Sequence, residues 1–260
     1  MSRKPDPLTE DAEPGLWPEH RPAASRQLVL DLGHTPSHAE ADFVTAPGNE
    51  MAYRHIMSFP AWATPLTLLL GPPKSGKSHL AAIWLMRSGA RKASPGDLEA
   101  LAGIPDQRPV LVEDADRGRY PESGLFHLLN QSIHSGRPVL MTARDAPQLW
   151  PLRTDDARSR VRLALGLTLA PPDDTLLSLL FVKLFSDRQI AVEPGLVSYL
   201  VKRMERAPNE AVALVDIMDR LALSRGSAVS RAVAAEAIVL RAAARPPEAA
   251  DTTETNDRHG

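Results

Sequence analysis

Short apolar runs alternate with helical patterns through the first two thirds of the chain. Runs of consecutive apolar residues, typical of strands that are buried on both faces, lie at Leu66–Leu70, Val110–Val112 and 138–141. A further run, GLTLA, follows an arginine-rich segment. Because helical periodicity separates these runs, the pattern predicts an α/β fold with a parallel sheet sandwiched by helices.

The pattern changes after residue 170. Apolar residues recur at helical spacing over 173–188, 194–206, 210–224 and 230–243, with no strand pattern between them. We therefore predict a sheet domain over residues 38–170 and a small all-helical lid domain over residues 171–243. Residues 1–25 and 244–260 are rich in proline and polar residues and show neither period, which predicts disordered tails.

Composition excludes several classes of protein. The 260 residues include no cysteine, so disulfides, thiolate metal sites and thiol nucleophiles are excluded. A formal net charge of −2 provides no global attraction to nucleic acid. The amino terminus has prolines and acidic residues where a signal peptide needs an apolar stretch, and no apolar run is long enough to span a membrane. We expect a cytoplasmic protein with no membrane partner.

A complete phosphate-binding motif follows the strand Leu66–Leu70. It matches G-x-x-x-x-G-K-[ST] and precedes a helical pattern, which is the context that the motif requires. Its backbone N–H groups and the positive end of the helix would bind the phosphates of ATP or ADP, with Lys77 at the outer phosphates and Ser78 on Mg²⁺. The predicted nucleotide-binding residues of this P-loop are Gly71, Pro72, Pro73, Lys74, Ser75, Gly76, Lys77 and Ser78.

Two acidic residues end the next apolar run. Glu113 and Asp114 follow PVLV, where magnesium and the attacking water are handled in P-loop enzymes. The usual order is Asp followed by Glu, and here it is inverted. Because phosphoryl transfer depends on positioning, we expect nucleotide binding to survive better than turnover. A solvated turn after a buried strand is the alternative interpretation.

Polar and basic residues lie at the ends of the later strands. Thr142 closes the run at 138–141 and is placed either to contact the γ-phosphate or to cap a loop. Arg158, Arg160 and Arg162 precede the last strand, and the structural alternative for them is ion pairing with nearby aspartates at the surface.

These features occur in an order that resembles the AAA+ domain of the DnaA family. The matching stretches are DFVTAPGNEMAYRHI, GPPKSGKSHLAAIW, VLVEDADR, VLMTARDAPQLW and ARSRVRLALGLTLAPPDD, followed by the helical lid. The resemblance is closer to the short DnaA-related regulators of the Hda type found in alphaproteobacteria, which lack the DNA-binding domain, and it covers about residues 26–243. It implies a P-loop AAA+ fold.

The resemblance also implies roles for individual residues. Phe43, Val44 and Asn49 would form the adenine pocket, although core packing and a helix N-cap at Asn49 account for them equally. Arg160, preceded by Ser159, matches the arginine finger of the family, with Arg158 as the second choice. The sensor 2 arginine of the lid has no direct match. Alignment places Asn209 there, and Arg206 lies one helical turn earlier, so we assign Arg206 to the nucleotide.

A short peptide near the start resembles motifs that bind the bacterial sliding clamp. Residues 26–33 read RQLVLDLG, in which Gln27, Leu30 and Leu32 fit Q-x-x-L-x-[LF] and Leu28 adds an apolar anchor. Because LVLDL also alternates as a β-strand does, an edge strand is the alternative.

The resemblance implies a negative regulator of replication initiation. Loaded on the DNA-bound clamp, it would stimulate hydrolysis of the ATP held by DnaA, contacting DNA only through the clamp. We weigh two other functions: an autonomous AAA+ ATPase that forms homo-oligomers, and a DNA-associated factor that recruits helicase or initiator.

Overall fold

The computed structural model describes residues 40–103 and 106–244, within which one parallel sheet and two groups of helices make up the fold. The strands β1 to β5, in chain order, are Leu66–Leu70, Arg91–Lys92, Val110–Val112, Val139–Ala143 and Leu165–Thr168. The α-helices α1 to α9, in chain order, are Glu50–Met57, Lys77–Ser88, Leu98–Gly103, Glu122–Ser135, Asp155–Arg162, Asp174–Asp187, Leu196–Val201, Pro208–Arg225 and Arg231–Ala243.

The sheet in the described part of the chain has five parallel strands in the order β2-β3-β4-β1-β5. β1 lies between β4 and β5, with Leu70 opposite Ala143 and Thr168. Because the strands run in one direction, their carboxyl ends lie at one edge of the sheet. The P-loop follows β1, the acidic pair follows β3, and Thr142 lies near the end of β4. The topology therefore brings these predicted site residues to one edge of the sheet.

Helices cover both faces of the sheet. One face packs against α3, α4 and α5, and the other against α1 and α2. Neighbouring strand residues point to opposite faces, so that Leu68 belongs to the first core and Leu69 to the second. Consecutive apolar residues are needed when both faces are buried, which confirms the prediction of a sheet sandwiched by helices.

The remaining helices, α6 to α9, share a separate apolar core. The second of them is shorter than predicted: α7 ends at Val201, whereas the pattern predicted a helix over 194–206. The following helix begins at Pro208, and Ala207 before it is extended, with φ −147° and ψ 132°. Pro208 accounts for the extended geometry of Ala207, whereas α7 has already ended at Val201.

Other boundaries differ slightly from the predicted ones. β4 continues through Thr142 to Ala143, and β5 begins at Leu165 and ends at Thr168. The sequence pattern missed β2, whose two residues Arg91 and Lys92 are both exposed. The predicted tail 1–25, the peptide 26–33 and residues 245–260 lie outside the described residues. In the part described, no helix is both long and apolar enough to cross a membrane.

Candidate functional site at the carboxyl edge of the sheet

The P-loop joins β1 to α2 and requires glycine at its first position. Gly71 has φ 154°, and a Cβ added there would lie 2.5 Å from the carbonyl oxygen of Leu169 and 2.8 Å from Oγ of Ser75. Gly76 has φ 101° and forms the N-cap of α2. Glycine therefore permits the turn that directs the amino-terminal end of α2 toward the loop, as phosphate binding requires.

Lys77 lies folded into the loop. Its Nζ donates hydrogen bonds to the carbonyl oxygens of Gly71, at 2.6 Å, and Pro72, at 2.8 Å. Burial lowers the pKa of Lys77, the positive charge of Arg144 lowers it further, and the carboxylates of Asp114 and Asp116 oppose that shift. A phosphate would offer this buried ammonium a charged acceptor in place of two neutral carbonyls.

The acidic pair follows β3, and its two residues have different neighbours. Asp114 has φ 49°, and its backbone N–H donates to the hydroxyl of Thr142 at 2.9 Å, which ties the end of β3 to β4. Glu113 forms an ion pair with Lys92. Thr142 is buried at the carboxyl edge, so its hydroxyl positions Asp114, and contact with a phosphate stays a prediction.

Ser78 and Glu113 line one cavity of about 350 Å³. A hydroxyl and a carboxylate are hard oxygen donors of the kind that Mg²⁺ takes when the substrate phosphates supply most of its other ligands. The residues therefore fit the predicted metal, with Lys92 as a competitor for Glu113. Among residues 40–103 and 106–244, no group of three or more His, Cys, Asp or Glu side chains could hold a metal without such phosphates.

Sequence reasoning missed a third carboxylate at this edge. Asp116 is buried, and its Oδ2 accepts the backbone N–H groups of Arg144 and Asp145 at 2.8 and 2.9 Å. Its Oδ1 is also buried and has no hydrogen-bond partner among the described residues. Asp116 thus holds the loop after β4 beside the P-loop. The spacing Asp-Ala-Asp after an apolar strand was the only local signal of it.

A cleft of about 610 Å³ lies between the sheet domain and the lid. Its walls combine P-loop residues with apolar side chains of α6 and α8, among them Leu176, Leu180 and Val212. Phe43 and Val44, the residues assigned to the adenine pocket by the resemblance, also line it. Phe43 stacks on Tyr53 with a centroid distance of 5.4 Å. The cleft therefore offers an apolar wall next to the phosphate loop.

Asn49 lines the cleft but uses its side chain within its own loop. Its Oδ1 accepts the N–H of Ala46 at 2.8 Å, and its Nδ2 donates to the carbonyl oxygen of Val44 at 3.0 Å. Asn49 occupies the N-cap position of α1 without capping that helix through its side chain. It therefore shapes the loop that carries Phe43 and Val44.

The two candidates for sensor 2 occupy different places. Asn209 lines the cleft from the first turn of α8. Arg206 forms an ion pair of 2.8 Å with Asp174 at the surface and is not among the described residues that line the cleft. Next to it, Glu205 forms an ion pair with Lys74, which joins the lid directly to the P-loop.

The arginines of α5 lie outside the cleft and differ in their contacts. Arg158 is engaged by Asp155, at 3.0 Å, and by the carbonyl oxygen of Leu152. Arg160 donates only from Nε, to Oδ1 of Asn130 at 2.6 Å, so within the described residues its two terminal nitrogens have no hydrogen-bond partner. The structural alternative for these arginines was ion pairing with nearby aspartates. Among the described residues, Arg158 forms such a pair and Arg160 does not.

Comparison with known proteins identifies the fold. No family model matches the chain, and no curated protein matches it. Among solved structures, domain III of the replication initiation protein DnaA from Thermotoga maritima has a TM-score of 0.63 at 17% identity and covers 82% of this chain and 99% of its own. AMPPCP-bound DnaA from Aquifex aeolicus has a TM-score of 0.59 at 15% identity, covering 74% of this chain and 68% of its own.

A second kind of structure also matches. The RuvB Holliday junction branch migration motor of Thermotoga maritima has a TM-score of 0.54 at 18% identity, with 68% of this chain and 61% of that chain covered. The fold is thus that of a DnaA-like AAA+ domain, as the order of sequence motifs predicted. At these identities the likeness extends to the fold alone.

Proposed function

We propose that this chain is a nucleotide-binding AAA+ regulator that docks on the DNA sliding clamp and stimulates hydrolysis of the ATP bound to DnaA. The observation that carries the proposal is the separation of two features: a cleft with a complete P-loop, and Arg160 with a partly free guanidinium outside that cleft. Because Arg160 does not line the cleft of its own chain, it is suited to act on the nucleotide of another molecule.

Nucleotide binding is supported by the match between the cleft and the parts of ATP or ADP. Phosphates would replace the carbonyl oxygens at Lys77 and approach the amino terminus of α2. The base would lie against Phe43 and Val44, opposite apolar residues of α6 and α8. DnaA structures of the same fold have AMPPCP bound, in agreement with this assignment.

Action in trans is supported by the contacts of α5. The hydrogen bond from Nε of Arg160 to Oδ1 of Asn130 orients the guanidinium and leaves its terminal nitrogens without a hydrogen-bond partner among the described residues. An arginine supplied to a neighbouring active site stabilises the charge of the transferring phosphoryl group and contributes about 10³ or more in rate. Arg158, tied to Asp155 and Leu152, is less available for that role.

Docking on the clamp rests on the sequence of residues 26–33, which lie outside the described residues. In that peptide Gln27 would hydrogen-bond at the rim of a groove, and Leu28, Leu30 and Leu32 would occupy it. The autonomous ATPase is the main rival. The ion pair between Lys92 and Glu113 weighs against it, because Lys92 occupies the carboxylate that an ATPase would use for Mg²⁺.

The test is ATP turnover in a mixture of ATP-bound DnaA, clamp loaded on DNA, and this protein. We expect turnover well above the sum of the components, and loss of that excess in Arg160→Ala with nucleotide binding intact. Arg158→Ala is the matched control on the same helix and should retain most of the excess. Substitution of Gln27, Leu30 and Leu32 by alanine should abolish the dependence on clamp.

Two results would count against the proposal. Turnover by this protein alone, unchanged by DnaA and clamp, would indicate an autonomous ATPase. Equal loss of activity in Arg158→Ala and Arg160→Ala would remove the assigned role of Arg160.

A further inference from the structure

The cavity beside the P-loop brings together two residues assigned to the metal and one lysine. Ser78 and Glu113 line it together with Lys92, and Ser78 also lines the nucleotide cleft. Ser78 therefore faces both the nucleotide cleft and the cavity that contains Lys92 and Glu113. The lysine comes from β2, the strand that has no apolar pattern in the sequence.

The sheet places Lys92 at Glu113. β2 pairs in parallel with β3, and Lys92 is opposite Leu111, so both strands end at the same edge. Glu113 follows the last residue of β3, and Lys92 is the last residue of β2. The Nζ of Lys92 forms an ion pair with Oε2 of Glu113. The side chain of Glu113 is 21% exposed and that of Lys92 is 57% exposed, so the lysine covers the carboxylate from the solvent side.

We propose that Lys92 is a specificity-determining residue that competes with magnesium for Glu113, so that this chain binds nucleotide with little dependence on Mg²⁺. The inference rests on the proposed nucleotide binding. An ammonium and a divalent cation at one carboxylate repel each other, so magnesium must displace the lysine or forgo Glu113. Lysine suits this role because its charge is a compact point on a flexible chain, able to reach a carboxylate without fixed geometry.

The expected effect is moderate because the lysine is half exposed. An ion pair of this exposure contributes no more than about a fivefold change in an equilibrium, so its removal should strengthen the coupling between Mg²⁺ and nucleotide by about two- to fivefold. The coupling is the ratio of the nucleotide dissociation constants measured without and with Mg²⁺. By linkage, the same factor applies to the affinity of the nucleotide complex for Mg²⁺.

The experiment measures binding of ADP with a fluorescent ribose label to the full chain, in EDTA and over a series of Mg²⁺ concentrations. Lys92→Met keeps an unbranched side chain, one atom shorter, and removes the charge, and we expect stronger coupling in this variant. Lys92→Arg keeps the charge and should retain the weak coupling of the unaltered chain. Arg91→Met is the matched control, because Arg91 is the neighbouring cation of β2, points to the opposite face and pairs with Asp97 at 3.8 Å.

A double-mutant cycle separates the ion pair from a general effect of charge. In a Glu113→Gln background, Lys92→Met should no longer change the coupling, because the carboxylate for which the two cations compete is gone. Equal coupling in the unaltered chain, Lys92→Met and Arg91→Met would overturn the inference while leaving nucleotide binding in place. If the unaltered chain bound no labelled ADP at any Mg²⁺ concentration, the proposed nucleotide binding would fail, and the inference with it.

Discussion

Substitution of Gly71 by alanine tests whether the P-loop depends on its backbone as argued. The added Cβ would lie 2.5 Å from the carbonyl oxygen of Leu169 and 2.8 Å from Oγ of Ser75, and the residue has φ 154°. Because the nearer atom belongs to the backbone, a side-chain rotation cannot relieve the contact. The loop must move away from Leu169, which disturbs the phosphate site.

The size of the effect follows from two contributions. A residue with a side chain in a backbone region reserved for glycine costs about 1–3 kcal/mol. Overpacking against a rigid neighbour adds about 1–3 kcal/mol. We therefore expect Gly71→Ala to lower the free energy of unfolding by roughly 2–6 kcal/mol if the loop stays in place. If the loop shifts, the loss of stability is smaller and nucleotide binding is lost instead.

Gly136→Ala provides the control for strain alone. Gly136 has φ 75°, and no heavy atom lies within 4 Å of the position that its Cβ would take. Its substitution should cost about 1–2 kcal/mol and leave nucleotide binding unchanged. Urea unfolding and binding of fluorescent ADP are the two measurements. If Gly71→Ala matched Gly136→Ala in both, the steric argument for the P-loop would be refuted.

Three further predictions concern the phosphate site, the lid and the acid stability. Lys77→Ala should abolish nucleotide binding measured by fluorescence titration while the circular dichroism spectrum of the fold is retained, because the ammonium is the cation placed inside the loop. Asn209→Ala should weaken nucleotide binding more than Arg206→Ala, since only Asn209 lines the cleft among these two; the opposite order would support Arg206 as sensor 2. Glu122 accepts hydrogen bonds from the Thr154 hydroxyl and from two backbone N–H groups, which lower its pKa from the ordinary value of a glutamate. Its stabilisation is therefore present above its unfolded pKa and is lost as pH falls through the lower folded pKa. Glu122→Gln should thus reduce the urea midpoint most at about pH 7 and progressively less as the pH is lowered through the folded pKa. A reduction that does not change with pH would contradict this explanation.

The parts of the fold that the sequence predicted depend on local signals. Leu66–Leu70 and Val110–Val112 are recognisable because strands covered on both faces need consecutive apolar residues. The P-loop is recognisable because its local backbone conformation, with positive φ, requires glycine. The shortened α7 shows the limit of periodicity, since apolar spacing continues past Val201 although the helix ends there.

The parts that were missed depend on contacts between distant residues. β2 consists of two exposed basic residues, so no apolar pattern marks it, and its pairing with β3 appears only in the folded sheet. Asp116 binds backbone groups of Arg144 and Asp145, which lie 28 and 29 residues away. The sequence therefore predicted β1, β3 and the P-loop that follows β1, whereas Asp116 and the partners of Glu113 required the structure.

Such contacts between distant residues affect how a regulator of this design would use its nucleotide. The cleft is shared by the P-loop and the lid, and the ion pair between Lys74 and Glu205 already links the two. A nucleotide bound there adds contacts to both sides and stabilises their relative position. Hydrolysis would remove part of the bound nucleotide, and on the proposed role of Glu113 its ion pair with Lys92 would oppose hydrolysis. On the proposed function, the nucleotide therefore serves as a structural ligand of the lid, while Arg160 acts on the ATP of the partner.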